Sequence, residues 1–219
     1  MPTCAIRTDV TRTTPVASAT RPGRGWTASH ALAALALFGA TAACSAVQHV
    51  ELRDDYATTD RLSTVRIAVV VAPLPGGRED LGQLWATLAA RYANQHRDFL
   101  ARPALFAASL PAEACAAPRQ GVLHLLPTAR VDGDEVAVTV TASLRRCADD
   151  VQIWQASGKG SWASADDELA EMTRTYSEEV GEAVRAHVAP TYRLLRAVLA
   201  ELPEPKLTDD QDVMDKIEM

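Results

Sequence analysis

The chain has 219 residues, with 22 basic and 28 acidic side chains and a formal net charge of −6. That balance argues against nucleic acid and anionic lipid head groups as partners, since both need a basic surface. The length is that of one domain, and 47% apolar residues suffice for a packed core without wholesale disorder.

The first readable stretch is Trp26 to Ser45, WTASHALAALALFGATAACS. Arg21 and Arg24 stand upstream, Ala31 to Ala40 are apolar, and small residues lead to Cys44. A basic start, an apolar run of about 7–15 residues and a small-residue cleavage site make a secretory signal. The run is shorter than the roughly 20 apolar residues a spanning helix needs. Thr41-Ala42-Ala43-Cys44 resembles a bacterial lipobox, although Thr41 stands where an aliphatic residue is usual. That resemblance implies lipidation of Cys44 after cleavage before it. The alternative is ordinary secretion after Ala42-Ala43, leaving Cys44 as a free or paired thiol. Ser45, where Asp would signal inner-membrane retention, points by the same resemblance to the outer membrane. Four basic residues and one acidic residue precede Cys44, leaving 18 basic against 27 acidic and a net charge of −9.

Residues 44–63 are polar without a clear period and are expected to form a tether. Val65 to Ala72, VRIAVVVA, is β-branched and almost without polar residues, as suits a strand buried on both faces. Pro73, Pro75, Gly76 and Gly77 end it. From Glu79 to Phe99 the residues Leu81, Leu84, Trp85, Leu88, Tyr92 and Phe99 recur at helical spacing, an apolar stripe that reads as core. Pro103 bars continuation, and Ala104 to Ala107 is a candidate short strand. Leu110 to Arg119 is loop-like.

Gly121 to Val131 and Glu135 to Leu144 flank Asp132-Gly133-Asp134, a strong hairpin signal. In the second arm Val136, Val138, Val140, Ala142 and Leu144 alternate with more polar residues, giving one apolar face. Pro127 in the first arm favours an edge or a bulge. Val151 to Trp162 returns as a third antiparallel strand. A stripe from Leu169 through Met172, Tyr176, Val180, Val184, Val188, Tyr192, Leu195, Leu199 and Leu202 predicts one long helix kinked at Pro190, or two coaxial helices. The acidic end, 204–219, reads as a mobile tail in which VMDKIEM could form a helical turn or a docking peptide.

Chemistry is sparse. Cys115 and Cys147 form an even pair in an exported domain, which reads as a disulfide. No C-x-x-C or metal-ligand spacing supports a redox or metal site. His30, His49, His96, His124 and His187 are scattered. Ser157-Gly158-Lys159-Gly160-Ser161 lacks the spacing of a phosphate loop, and no hydrolase motif is present.

The text VAPLPGG (Val71 to Gly77), RYANQHRDF (Arg91 to Phe99), the hairpin with Cys147 and Trp154, APTYRLLRAVL (Ala189 to Leu199) and the closing DKIE resemble an uncharacterised small lipoprotein family recorded from myxobacteria and leptospires. The resemblance covers most of Val65 to Glu218. It implies a lipoprotein and supplies no catalytic residue. The element order also resembles periplasmic α/β domains of the TolB N-terminal type, whose relatives act by docking on other proteins.

The expected architecture is a two-layer α/β sandwich over 64–203, with helices on one face of a mixed, mostly antiparallel sheet, preceded by a leader over 1–43. The expected function is that of a lipid-anchored, non-catalytic adaptor facing the periplasm from the outer membrane, without cofactor or metal. Its partners are the membrane, through the lipid, and another envelope protein. The rival is a module binding a small lipid or glycan ligand, which an apolar groove between long helix and sheet would favour. An exported hydrolase is a third reading, which a cleft with convergent His and Asp would revive.

Overall fold

The computed structural model describes residues 46–103 and 112–218. The leader, Cys44, His30 and the candidate strand at Ala104 to Ala107 lie outside the described residues. Six strands form one sheet: β1 (Val47–Leu52), β2 (Arg66–Val71), β3 (Leu100–Pro103), β4 (Gly121–Asp132), β5 (Glu135–Arg146) and β6 (Gln152–Ala163). Their spatial order is β1-β6-β5-β4-β2-β3. β1, β6, β5 and β4 are mutually antiparallel, while β2 is parallel to both β4 and β3. The helices are a short turn, α1 (Tyr56–Thr59), then α2 (Glu79–His96), α3 (Ala170–Val180), α4 (Arg185–Leu199) and α5 (Asp210–Ile217). The mixed sheet under a helical layer is the α/β architecture expected.

The alternation in β5 works as read. Val136, Val138, Val140, Ala142 and Leu144 are all buried against the helices. Gly133 takes the first turn position of the β4–β5 hairpin at φ 62°, the place a type II′ turn reserves for glycine. β2 is buried on both faces, with Ile67, Val69 and Val71 towards the helices and Ala68 and Val70 on the other side. β4 lies inside the sheet, yet its pairing with β2 stops at Leu125. Pro127 therefore falls where β4 has become a local edge and needs no donor on that side.

Three expectations change. Residues read as a tether hold β1 and α1, and Tyr56 and Asp60 within them are buried. An edge strand has one strand neighbour, so it shows no alternation strong enough to read. The first helix ends at His96, and Phe99 leads into β3 instead of closing the helical stripe. The long C-terminal helix breaks at Gly181 and not at Pro190. Gly181 has φ 130°, outside helical geometry, and a single turn at Glu182–Val184 re-starts the chain into α4. α4 carries Pro190 within it. Burial of Val188, Leu194, Leu195, Val198 and Leu199 against the sheet outweighs one missing backbone bond.

The glycines of the Ser157–Ser161 stretch are packing residues. A Cβ on Gly158 would meet Val198 Cγ2 at 2.7 Å and the Ala46 carbonyl at 2.8 Å. One on Gly160 would collide with the Trp162 ring. The phosphate-loop reading has no place in a paired strand.

Candidate interaction surfaces

α4 crosses β5 and β6, and α2 lies over β2 and β3 and against α4. Val188, Leu194, Val198 and Leu199 reach zero exposure against Val138, Ala142 and Leu144, also at zero. The place between long helix and sheet where a groove would favour a small ligand is filled by side chains.

The four described histidines lie on four different elements, and buried His124 Nε2 and His187 Nδ1 have no hydrogen-bond partner among the described residues. His49 pairs with Glu51 at 3.0 Å on β1. His96 lies against the Tyr92 ring, centroids 4.7 Å apart. His124 sits half-buried in β4, where burial first and Arg145 second push its pKa down. His187 is buried in α4, and burial, followed by Arg78, lowers its pKa against the opposing Asp80. Among the described residues no group of three or more His, Cys, Asp or Glu is placed to hold a metal ion. No helix there is long and apolar enough to cross a membrane.

Cys115 and Cys147 form the expected disulfide, with Cα atoms 5.3 Å apart. It ties the turn Ala112–Cys115 to the end of β5, where Ala114 packs with Ala68, Val70 and Val122 on the second face of the sheet. The neighbouring Arg146 donates to Asp60 Oδ1 at 2.5 Å and to Asp149 at 2.8 and 2.6 Å. Asp60 is completely buried. Its pairing fastens the segment after β1 to the turn after β5. The hydrogen bonds from Arg146 hold the Asp149 carboxyl down to about 2.

The least expected surface is α5. Asp209 caps its start by accepting from Gln211 N at 2.7 Å. Arg66 of β2 pairs with Asp212 at 2.6 Å and Asp215 at 2.8 Å. Lys216 Nζ donates to the carbonyls of Arg97 at 2.6 Å, Phe99 at 2.9 Å, and Asn94, closing carbonyls left free at the end of α2. This helix is docked by its charged face. Its apolar residues point away, with Val213 39%, Met214 52% and Ile217 73% exposed. The sequence signal was there: Asp212, Asp215 and Lys216 share one helical face and Val213, Met214 and Ile217 another. Nothing local said which face would be turned inward.

β1 supplies a second exposed apolar feature. No described strand pairs with its outer edge. Val50 and Leu52 lie opposite Ala156 and Trp154 of β6 and are 41% and 48% exposed. The face of β4 to β6 away from the helices is mostly polar, with Leu126 of β4, 48% exposed, the exposed apolar exception beside Thr141. It carries Thr128, Thr139, Thr141, Ser143 and Ser157, with Thr128 and Thr139 hydroxyls 2.6 Å apart. Such a face suits water.

No protein-family model and no curated protein matches the chain. Solved structures give distant likenesses. A PelC variant dodecamer from Paraburkholderia phytofirmans is 16% identical over 72% of this chain and 99% of that one, with a TM-score of 0.45. The hypothetical protein CT253 from Chlamydia trachomatis is 11% identical over 62% and 94%, at 0.41. The lipoprotein GNA1162 from Neisseria meningitidis is 18% identical over 57% and 99%, at 0.35. At such scores no property of these proteins is carried to this chain.

Proposed function

We propose that this protein is a lipid-anchored adaptor of the bacterial envelope. It is held through Cys44 at the periplasmic side of the outer membrane, it binds another envelope protein, and it does no catalysis. On this reading the domain works as TolB N-terminal-type domains do, by docking. One observation carries the reading: α5 is fixed by Arg66 and Lys216 with its apolar side outward. A helix that settled only for stability would bury Val213, Met214 and Ile217 and leave its aspartates in water. The inverted arrangement leaves an apolar strip on an acidic helix, the form in which one partner presents a helix to another's groove. The filled helix–sheet interface counts against the small-ligand alternative.

The test is a crosslinking pull-down of the tagged protein from isolated envelopes. The wild type is compared with Val213→Ser/Met214→Ser/Ile217→Ser and with Cys44→Ala. All three α5 positions are exposed, so their substitution is expected to move stability by no more than about 0.5 kcal/mol each. One envelope protein is expected with the wild type, strongly reduced with the triple variant and reduced with Cys44→Ala. Equal recovery with the triple variant removes α5 from the interface. No enriched protein at all, from wild type firmly in the membrane fraction, overturns the adaptor reading.

A further inference from the structure

With eight residues, α5 is shorter than the about 12–15 a helix needs to hold its own shape in water. Packing normally supplies the difference, yet no residue of α5 belongs to either buried apolar cluster among the described residues. What fastens it is ionic. Arg66 of β2 reaches Asp212 at 2.6 Å and Asp215 at 2.8 Å. Lys216 Nζ donates to the carbonyls of Arg97 at 2.6 Å, Phe99 at 2.9 Å, and Asn94. All three donors of that ammonium are used on the end of α2 and the approach to β3. The order of the helix therefore hangs on two cations.

The surroundings are closed without it. Glu204 accepts from Arg97 at 2.9 Å and from Asp98 N at 3.1 Å, and Lys206 N donates to the Arg61 carbonyl at 2.8 Å. The chain is thus fastened as far as Lys206, and Leu207 and Thr208 lead to the cap at Asp209. β3, the edge strand that α5 touches, has its outward groups covered by other means. The Asn94 amide accepts from Ala101 N at 2.7 Å and donates to the Ala101 carbonyl at 2.9 Å, and Pro103 has no N–H to offer. Lifting α5 away opens no ladder edge at these residues.

We infer that α5 is a detachable latch: it docks as a helix through Arg66 and Lys216, and it leaves as an unfolded tail hinged at Leu207–Thr208 while the sheet and the other helices stay folded. The two states present different surfaces. Docked, the helix gathers Val213, Met214 and Ile217 into one exposed strip. Released, the three residues are spread along a mobile chain. On the adaptor reading, release withdraws the strip from its partner; the latch itself does not rest on that reading. Asp60 gives the contrast, because it stays in the interior when its cation is removed. Asp212, 8% exposed, reaches water as soon as α5 lifts.

Hydrogen exchange read by mass spectrometry on the full chain tests this, with peptides from α4, β5 and α5 followed separately. In the wild type α5 is expected to exchange about tenfold or more faster than α4, since local release precedes global unfolding. Arg66→Met and Lys216→Met each remove charged hydrogen bonds and are expected to speed α5 by a further factor of roughly ten or more. Exchange in α4 and β5 and the urea midpoint are expected to stay as in the wild type. The double variant is expected to bring α5 to the rate of an unstructured chain. Wild-type α5 exchanging in step with α4 makes it part of the cooperative fold and overturns the latch. So does a fall in urea midpoint with loss of α4 protection in Lys216→Met, or α5 protection unchanged in the double variant. Lys216 lies on α5 itself, so its variant answers even where Arg66→Met disturbs β2. No partner enters these readouts, so a failed latch and a failed pull-down are separate results.

Discussion

Arg146→Met is expected to destabilise the domain by about 3–5 kcal/mol, because it strands the carboxylate of Asp60 in the interior. Asp60 has zero exposure and its cation is Arg146, 2.5 Å away. Its second oxygen has no hydrogen-bond partner among the described residues, so nothing there takes over when the cation goes. The comparison that separates this cause from general damage is Asp60→Leu/Arg146→Met. Removing both charges together is expected to recover most of that loss, since no buried charge is then left unpaired, and to leave only the smaller cost of the exposed Asp149 contact. Urea midpoints for the two variants give the answer. A single variant as stable as the wild type would mean that Asp60 does not depend on Arg146 for its place in the interior.

The same arginine sets a pH dependence. Its hydrogen bonds hold the Asp149 carboxyl at about 2, below the unfolded value of about 3.9. A depressed carboxylate contributes stability that is whole above the unfolded value and is lost as pH falls through the folded one. The contribution of the Arg146–Asp149 contact is therefore expected to fade between about pH 4 and pH 2. The difference between wild type and Asp149→Asn should shrink over that window and be constant above it.

Cys115→Ser/Cys147→Ser is expected to lose roughly 3.7 kcal/mol in the chain-entropy model, for residues 32 apart in sequence. For a chain of this size that is a fall in Tm of roughly 7–15 °C. The loss arises in the unfolded state, freed of a crosslink, and in the turn Ala112–Cys115, freed to leave Ala68, Val70 and Val122. Circular dichroism melts of the oxidised wild type, the reduced wild type and the double variant test it. An unchanged Tm would assign the pair a role other than holding this turn. Arg146 adjoins Cys147, so the two sets of substitutions are not expected to add.

Much of the fold was legible because periodic patterns report the face a residue occupies. The Val136 to Leu144 alternation, the unbroken apolar run of β2, the Gly133 turn and the Leu81–Leu88 stripe each concern neighbours within a few residues. The cysteine pair was legible as the even pair left over in a chain read as exported. β1 escaped notice because an edge strand is half solvated and its polar residues read as a spacer. The break at Gly181 escaped because the apolar spacing runs on across it, while Pro190 looked the stronger breaker.

The candidate surfaces divide in the same way. The acidic balance, the core stripes and the turn residues are properties of composition and local order, and the amino-acid text carries them without help. The burial of Asp60 against Arg146, the seat of Lys216 on carbonyls more than a hundred residues earlier, and the outward turn of Val213, Met214 and Ile217 required the folded chain. Periodicity shows that a helix has two faces but not which one its neighbours will accept. That choice for α5 was made by Arg66 on β2 and by the open end of α2, groups brought to it by the sheet.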